Sequence, residues 1–386
     1  MCCKCSSFNG IEKYPKLRFQ GFTIPWTEIE IGKAFQVTRG YVLPATVVRQ
    51  DASEEYIYPV YSSQTKDNGL MGYYNDYLYE NAITWTTDGA NAGTVHYRSG
   101  KFYCTNVCGV LLSDEGNANR CVAEILGSVS KKYVSYVGNP KLMNNVMSEI
   151  KIYVPTIAEQ KKIDDFISVI DHRIEKQHEL IEYLKKYKRG LLQAVFSREI
   201  QLENSSNWEH RLFGEIASLG KGKYTPKQEE ILPCIELEHL EQQTGQIIGY
   251  ANSNEQNSVK SVFHKGDVLF GKLRPYLRKF ALPEYDGVCS SEIWVLHPES
   301  NIDSTFLFYL IQSESFLAAA NISSGTKMPR AEWSKVSNES FFIPELSEQK
   351  RIADLLSTID KRIVNASRSV NKMQSLKQGL LQQLFI

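Results

Sequence analysis

Residues 155–196 read PTIAEQKKIDDFISVIDHRIEKQHELIEYLKKYKRGLLQAVF, and residues 344–385 read PELSEQKRIADLLSTIDKRIVNASRSVNKMQSLKQGLLQQLF. The two stretches align without a gap at a constant offset of 189 residues, and 17 of the 42 aligned pairs are identical. A match of this length at one fixed register indicates a duplication. A duplicated chain tends to fold about a pseudo-two-fold axis. Such a molecule can meet a partner that is itself two-fold symmetric, as duplex DNA is.

Each copy predicts one long helix with a continuous apolar seam. In the first copy the seam positions are Ile163, Ile167, Ile170, Ile174, Gln177, Ile181, Leu184, Lys188, Leu191 and Val195. In the second copy they are Ile352, Leu356, Ile359, Ile363, Ala366, Val370, Met373, Lys377, Leu380 and Leu384. Steps of four and three residues that alternate over several turns are typical of a coiled coil. Two such helices in one chain can pack on each other, and a pseudo-two-fold axis between them makes the pair antiparallel.

Three polar residues interrupt this seam, namely Gln177, Lys188 and Lys377. They either fix the register of the two helices or mark places where the seam ends or shifts. The pattern also leaves open that the helices serve only as a strut or for dimerisation. A helix of about 38 residues is roughly 57 Å long.

Two segments of different sequence precede the helices, at about 15–154 and about 208–343. They end alike, because Pro140 and Pro329 share the offset of 189 and residues 152–155 correspond to residues 341–344. Short apolar or aromatic runs between Gly, Asn and Asp residues predict a strand-rich core in each segment.

We therefore predict an α+β fold with a pseudo-two-fold internal repeat. Two strand-rich α+β domains are joined by two long antiparallel helices that form a coiled coil. The predicted segments are the first domain with its N-terminal arm, the central helix, the second domain and the distal helix, at 1–154, 155–200, 201–343 and 344–386. Different domains that alternate with the same helix indicate two recognition domains set apart by one spacer.

The composition gives few further constraints. The net charge is zero, which does not by itself indicate a nucleic-acid-binding protein. The charge is uneven, however, and six cations fall within 20 residues of the second domain: Lys260, Lys265, Lys272, Arg274, Arg278 and Lys279. The chain has no apolar stretch long enough to span a bilayer and no apolar signal-type N-terminus, so we expect a cytoplasmic protein.

The eight cysteines have no regular spacing. Cys2, Cys3 and Cys5 sit together at the N-terminus, while Cys104 and Cys108 are four apart on a predicted strand. A zinc site needs a second matching pair of ligands, and none is evident. We expect reduced thiols and no metal site.

Three motifs recur in both helices: a Pro-x-x-x-Glu-Gln-Lys start, an Ile-Asp-x-Arg-Ile run and a Lys-x-Gly-Leu-Leu-Gln-x-x-Phe end. Supporting stretches lie outside the helices, at 15–19 with 21–22 and Trp26, at 61–65 with 68–69, at 87–94 and at 325–329. On these residues the whole chain resembles the DNA-specificity subunit of type I restriction-modification systems. The Cys-rich first ten residues are not part of the pattern.

The resemblance implies that each variable domain is a target recognition domain that reads one half of a bipartite, asymmetric DNA site. The paired helices would set the spacer and dock two modification (methyltransferase) subunits, which carry S-adenosylmethionine. Larger complexes would add two restriction subunits, which use ATP and Mg²⁺ to translocate and cut DNA. This chain would then have no catalytic residue and no cofactor of its own.

Reading base edges needs side chains with paired donors and acceptors, and phosphates are bound by Lys, Arg and small hydroxyls. Candidates in the first domain are Gln64, Thr65, Lys66, Asn68, Asp88, Asn91, His96 and Arg98. Candidates in the second domain are Lys221, Lys223, Tyr224, Thr225, Lys272, Arg274, Tyr276, Arg278, Lys327 and Arg330. Each of them, taken singly, is equally compatible with a solvated surface residue.

Two catalytic motifs are absent from the sequence. There is no Asn-Pro-Pro-aromatic or Asp-Pro-Pro-aromatic tetrapeptide for methyl transfer, and no G-x-x-x-x-G-K-[ST] phosphate loop. The alternative is a self-contained DNA methyltransferase or nuclease that uses the same DNA-reading domains. A helical scaffold without a nucleic-acid role is a third possibility, but it leaves the basic loops unexplained. Assaying the purified chain alone for methyl transfer or DNA cleavage separates the first two.

Overall fold

The computed structural model describes residues 15–64, 66–202, 207–227, 229, 231–322 and 328–385. The predictions for the three N-terminal cysteines, for Thr65 and for Lys327 lie outside these residues, as does the side chain of Lys66. The chain divides into two compact units. Unit 1 comprises Met1–His178 and Arg368–Ile386, and unit 2 comprises Glu179–Ser367.

Unit 1 is built around a six-stranded sheet. The strands of unit 1 are β1 (Thr27–Glu30), β2 (Gln36–Arg39), β3 (Tyr58–Tyr61), β4 (Leu70–Tyr74), β5 (Tyr79–Thr86), β6 (Val95–Cys104), β7 (Cys108–Leu112) and β8 (Lys151–Val154). Its helices are α1 (Ile31–Ala34), α2 (Arg120–Ser130), α3 (Asn144–Glu149) and the first part of α4 (Ile157–Phe196). The sheet order is β2-β7-β5-β6-β3-β4, and β1 pairs separately with β8. Apolar residues of α2, of the sheet and of the long helices share one core.

Unit 2 has the same kind of architecture. Its strands are β9 (Glu209–Leu212), β10 (Ala217–Leu219), β11 (Lys223–Tyr224), β12 (Pro233–Ile235), β13 (Ala251–Asn252), β14 (Lys260–Phe263), β15 (Val268–Gly271), β16 (Phe280–Ala281), β17 (Gly287–Cys289), β18 (Ile293–Pro298) and β19 (Ser340–Ile343). Its helices are α5 (Phe213–Ile216), α6 (Ser304–Leu310), α7 (Glu314–Asn321), α8 (Trp333–Val336) and the first part of α9 (Leu346–Phe385). The sheet orders are β10-β18-β15-β16 and β11-β14-β17-β12-β13, and β9 pairs with β19.

The strand order of unit 2 repeats that of unit 1, although the two variable segments differ in sequence. Strands β2, β7, β3 and β4 correspond to β10, β18, β12 and β13, whereas β5 and β6 each correspond to two shorter strands, β14 with β15 and β16 with β17. The registers agree as well. Trp85 faces Gly109 in unit 1, and Phe270 faces Trp294 in unit 2, so both members of the pair are shifted by 185 residues. The duplication therefore includes the domains and not only the helices.

The two long helices run antiparallel, as predicted. In unit 1 the start of α4 and the end of α9 contribute to one core, for example with Ile163 and Leu384, and Lys377 of α9 is ion-paired with Asp171 of α4. In unit 2 the end of α4 and the start of α9 contribute to one core, for example with Leu192 and Ile352, and Lys188 of α4 is ion-paired with Asp360 of α9. Every predicted seam position of both helices is buried or half-buried. These findings confirm the predicted fold class of strand-rich α+β domains with an antiparallel helix pair.

Two of the three polar seam residues form ion pairs that fix the register. In unit 2 the largely buried ammonium of Lys188 lies 2.8 Å from a carboxylate oxygen of Asp360. In unit 1 Lys377 lies 2.8 Å from Asp171 and 2.9 Å from Glu124. The two aspartates belong to the repeated Ile-Asp-x-Arg-Ile run and the two lysines to the repeated helix end. A shift of one turn would leave a buried lysine without its carboxylate, which is strongly unfavourable.

The repeated Glu-Gln pair at the start of each long helix also has a structural role. Gln160 and Gln349 are each about 1% exposed. The Gln160 side-chain oxygen accepts a hydrogen bond from Asn119 at 2.7 Å, and that of Gln349 accepts one from the backbone N–H of Asp303 at 2.7 Å. Asn119 and Asp303 are the N-cap residues of α2 and α6. Each glutamine thus links the start of a long helix to the N-cap of the first helix that follows the sheet of its unit.

The boundary between the two compact units falls inside both long helices, between residues 178 and 179 and between residues 367 and 368. Each half-helix packs on the core of its own unit, and for this reason contacts do not separate the helices from the domains. The four-segment division made from the sequence stays a prediction.

Among the described residues no helix is long and apolar enough to cross a bilayer. In the same part of the chain no three side chains of His, Cys, Asp or Glu are grouped to hold a metal ion. The described cysteines are buried free thiols, and burial raises the pKa of Cys108 to about 11. They are therefore protonated and unreactive at neutral pH.

Candidate nucleic-acid interface

Two equivalent hairpin loops carry several of the predicted contact residues. Residues 87–94, which we call the first hairpin loop, connect β5 to β6. Residues 272–279, the second hairpin loop, connect β15 to β16. The flanking strand pairs match, since Trp85 faces Val95 and Phe270 faces Phe280.

The backbone of the two loops is held in the same way. In the first loop the hydrogen bonds are Thr86 N to Thr94 O (3.0 Å), Thr87 N to Val107 O (3.0 Å), Gly89 N to Pro140 O (2.9 Å) and Leu142 N to Thr87 O (2.9 Å). In the second they are Gly271 N to Lys279 O (2.8 Å), Lys272 N to Glu292 O (3.0 Å), Arg274 N to Pro329 O (2.8 Å) and Ala331 N to Lys272 O (2.9 Å). These backbone hydrogen bonds, which we call the backbone frame, are thus the same in the two loops, whereas no loop residue is identical between them.

The backbone also enters the left-handed region at the same two places. In the first loop these places are occupied by Gly89 (φ +93°) and Gly93 (φ +80°). In the second loop they are occupied by Arg274 (φ +53°) and Arg278 (φ +51°). Glycine adopts this conformation without steric cost, while a residue with a Cβ loses about 1 kcal/mol or more. Unit 2 thus keeps two arginines where its own counterpart shows that glycine fits.

The two arginines differ in their partners. Arg278 forms hydrogen bonds of 2.9 and 3.0 Å with the Glu314 carboxylate at the start of α7. Arg274 is exposed, and within the described residues its guanidinium has no hydrogen bond or ion pair. Tyr276 lies between them and is also exposed. Arg278 therefore has a structural role in the free protein, whereas Arg274 is available to a ligand.

Arg330 lies next to the second hairpin loop. Leu273 and Arg330 form an isolated antiparallel bridge. The Arg330 guanidinium contacts both carboxylate oxygens of Glu292 at 2.9 and 3.2 Å, and this carboxylate raises the pKa of Arg330. The backbone N–H of Lys272 donates to the Glu292 carbonyl oxygen. The structure therefore brings Lys272, Arg274 and Arg330 to one place.

The other predicted residues of unit 2 lie on a different sheet. Lys223 and Tyr224 form the edge strand β11 of the five-stranded sheet, with Lys221 exposed just before it. The Lys223 ammonium lies 3.2 Å from the Ser261 hydroxyl, and the Tyr224 hydroxyl lies 3.3 Å from that of Ser253. The candidates of unit 2 thus form two groups.

In unit 1 five of the eight predicted residues meet at one cleft of about 260 Å³, whereas Asp88 does not line it. Gln64, Asn68, Asn91, His96 and Arg98 all line it. The Asn91 amide donates to the carbonyl oxygen of Ser63 at 3.0 Å, and the Gln64 amide donates to that of Leu70. Their remaining donors and acceptors can face a ligand.

Arg98 has a different environment from an ordinary phosphate-binding arginine. It is only 7% exposed, and burial lowers the pKa of its guanidinium. Its Nε donates to the Thr84 hydroxyl at 3.1 Å, and one terminal nitrogen donates to the Asn68 carbonyl oxygen at 2.7 Å. The guanidinium also stacks 3.7 Å from the Tyr61 ring centroid. These contacts give Arg98 a role in holding the cleft, and the predicted DNA contact remains a prediction.

His96 lies on β6 beside Arg98. Burial, with a smaller contribution from the positive charge of Arg98, lowers the pKa of His96 to about 4. The imidazole is therefore neutral at physiological pH, and it presents one donor and one acceptor. It can recognise a hydrogen-bonding edge but does not add positive charge.

Comparison with known proteins decides the family. The model of the type I restriction modification DNA specificity domain matches this chain twice, at residues 23–186 and 205–372. The two matches together cover most of the sequence. The chain belongs to this family.

Individual relatives agree with this assignment. The specificity subunit of the type I restriction enzyme EcoDI from Escherichia coli is 24% identical over 64% of this chain and 64% of its own length. A predicted type I specificity subunit from Mycoplasma pneumoniae is 34% identical over 39% of this chain, which spans about half (49%) of that relative. The crystal structure of a type I restriction-modification S subunit from M. genitalium has a TM-score of 0.63 at 17% identity, covering 96% of this chain and 99% of that one. At this identity the structural likeness shows the fold alone.

One cation of this region was not among the predicted residues. Lys141 occupies in unit 1 the position that Arg330 occupies in unit 2. Asp88 forms an isolated antiparallel β-bridge with Lys141, as Leu273 does with Arg330. The signal was present in the sequence: the offset of 189 that aligns Pro140 with Pro329 also aligns Lys141 with Arg330.

Proposed function

We propose that this chain is the non-catalytic DNA-reading subunit of a type I restriction-modification complex. Each variable domain reads one half of a bipartite, asymmetric site in double-stranded DNA. The observation that carries the proposal is the pair of hairpin loops, which share one backbone frame and differ at every side chain. A constant frame with variable side chains supports two readers of different sequences.

The side chains of the loops suit contacts with DNA. The second loop offers the exposed Arg274 and Tyr276, and the cleft of unit 1 offers the amides of Gln64 and Asn91. Arginine and amide side chains match the donor and acceptor patterns of base edges, and free cations neutralise phosphates. A net charge of zero is compatible with this, because the cations are grouped and the field is local.

The paired helices would set the spacer between the half-sites and dock two modification subunits. Several residues are identical in both repeats although they face away from the seam: Lys161 and Lys350, Asp165 and Asp354, Arg173 and Arg362, Gln193 and Gln382. Internal packing does not require identity at exposed positions. Two copies of one partner, each bound to one repeat, do require it.

The cofactors of the complex would then belong to its other subunits. S-adenosylmethionine would be bound by the modification subunits, and ATP with Mg²⁺ by two restriction subunits in complexes that cut DNA. The complex would act on DNA in the cytoplasm.

The test is methylome sequencing of a host that expresses this chain with its modification subunit. We expect one methylated motif with two specified halves and an unspecified spacer, and no such motif when either protein is expressed alone. Methyl transfer or DNA cleavage by the purified chain alone, with S-adenosylmethionine or Mg²⁺, would instead establish an enzyme.

A further inference from the structure

A second loop of unit 1 lies directly beside the first hairpin loop. Ser135 and Lys141 exchange two backbone hydrogen bonds of 2.9 Å and close the loop of residues 135–141. The Gly89 N–H donates to the Pro140 carbonyl oxygen at 2.9 Å and fastens this loop to the first hairpin loop. The two loops are therefore presented together.

The internal duplication assigns a counterpart to Lys141. Lys141 and Arg330 each form a bridge with the hairpin loop of their own unit, and each is paired with a carboxylate. The Lys141 ammonium lies 3.9 Å from Asp88, and the Arg330 guanidinium lies 2.9 Å from Glu292. The position thus carries a carboxylate-held cation in both units, although the surrounding sequences differ.

The tip of the 135–141 loop is unusually exposed. Tyr136 is 69% and Val137 is 92% exposed, and the Lys141 side chain is 51% exposed. Single exposed apolar residues are common and indicate little by themselves. Here a tyrosine and a cation lie on one short loop that is held against the first hairpin loop.

We infer that the 135–141 loop is a second DNA-contacting element of unit 1, in which Lys141 binds a backbone phosphate and Tyr136 packs against the nucleotide beside it. This inference rests on the proposed DNA-reading function. A lysine is a flexible point charge, and it suits a phosphate better than a base edge. Lys141 therefore contributes affinity without sequence preference, whereas the first hairpin loop reads the half-site.

The experiment measures the binding of the full chain to a fluorescently labelled mixed-sequence duplex at several salt concentrations. We expect Lys141→Ala to weaken binding several-fold and to lower the slope of log affinity against log salt by about 0.9, the value for one phosphate contact. Lys141→Arg should restore most of the binding, and Tyr136→Ala should weaken it.

The matched control is Lys151→Ala. Lys151 is also a half-exposed lysine of unit 1 in a long ion pair, 3.8 Å from Glu28, but it lies on β8. We expect it to bind as the wild type does, and thermal melting confirms that each variant is folded.

Two negative results have different meanings. If the wild-type chain binds no DNA, the proposed function fails and this inference fails with it. If the wild type binds DNA and Arg330→Ala weakens binding, but Lys141→Ala binds as tightly as Lys151→Ala, only the inference is wrong.

Discussion

Arg274 has a left-handed backbone conformation. Its counterpart in unit 1, which has the same conformation, is Gly89. A residue that is strained in the free protein and has no internal partner is a candidate for function. Arg278 has the same backbone conformation, but it is paired with Glu314. The comparison within one chain thus separates an exposed arginine that is available to a ligand from one with a structural partner.

We predict opposite effects of Arg274→Gly on stability and on DNA binding. Glycine should relieve the strain and raise the free energy of unfolding by about 1 kcal/mol or less, since glycine also gains entropy when unfolded. Binding to the bipartite site should weaken, because a cation is lost. Denaturant unfolding and anisotropy titration measure the two effects.

The control for this prediction is Arg278→Gly, which relieves similar strain but removes an ion pair, so its net gain in stability should be smaller. Unchanged DNA binding by Arg274→Gly would contradict the assigned role of Arg274.

His96 gives a prediction for the pH dependence of stability. Its pKa is about 4 in the folded protein, below the ordinary value of 6.5. Between pH 6.5 and about 4 the unfolded chain binds a proton at His96 that the folded protein does not. The contribution of the neutral His96 to stability is therefore fully present above pH 6.5 and is lost as the pH falls towards 4. His96→Gln should therefore reduce the loss of stability between pH 6.5 and 5. Equal slopes in the two proteins, measured by urea unfolding at each pH, would contradict the lowered pKa.

At the scale of elements, the ion pairs of the helix seam are equivalent but not equally supported. Within the described residues Lys188 is paired with one carboxylate, that of Asp360, whereas Lys377 contacts both Asp171 and Glu124. A buried cation without a carboxylate is strongly destabilising. Asp360→Ala should thus lower the free energy of unfolding by about 3 kcal/mol, and Asp171→Ala by roughly 1 kcal/mol. Equal losses in denaturant unfolding would show that Glu124 does not compensate.

Gly190 and Gly379 lie inside the long helices, where glycine costs about 1 kcal/mol relative to alanine. Among the described residues nothing lies within 4 Å of a Cβ built at either position. We therefore predict that Gly190→Ala stabilises the free chain by about 1 kcal/mol. We propose that the modification subunit packs against the helix at this glycine, so the added methyl group should weaken binding of that subunit. Calorimetric titration with purified modification subunit measures this. Leu180→Ala, at an exposed site on the same helix, is the control. Wild-type affinity in Gly190→Ala would contradict a close approach.

The sequence predicted those elements whose periodicity is local. The helix pair follows from a seven-residue repeat, and its antiparallel direction follows from the duplication. Strand order could not be predicted in this way, because the pairing of Trp85 with Gly109 joins residues whose side chains carry no register signal. The sequence does not show burial either: as a polar residue Arg98 is a candidate for DNA contact, and only the fold shows that it is held inside the cleft. The offset of 189 pairs Lys141 with Arg330 in the sequence, but only the structure shows that both residues bridge a hairpin loop.

At the scale of the molecule, one chain folds as two versions of the same unit. Registers, loop hydrogen bonds and left-handed positions recur, while the residues that face solvent in the loops differ. Half of each long helix belongs to each unit. Under the proposed function, a change in helix length should therefore alter the spacer between the two half-sites and leave both half-sites unchanged.

The most direct test is to insert one heptad into each long helix at the boundary of the units, after His178 and after Ser367, and to sequence the methylome of a host expressing this variant with the modification subunit. Seven residues preserve the seam and lengthen the helices by about 10 Å. We predict the same two half-sites with a longer spacer. An unchanged spacer, or a change in either half-site, would contradict this prediction.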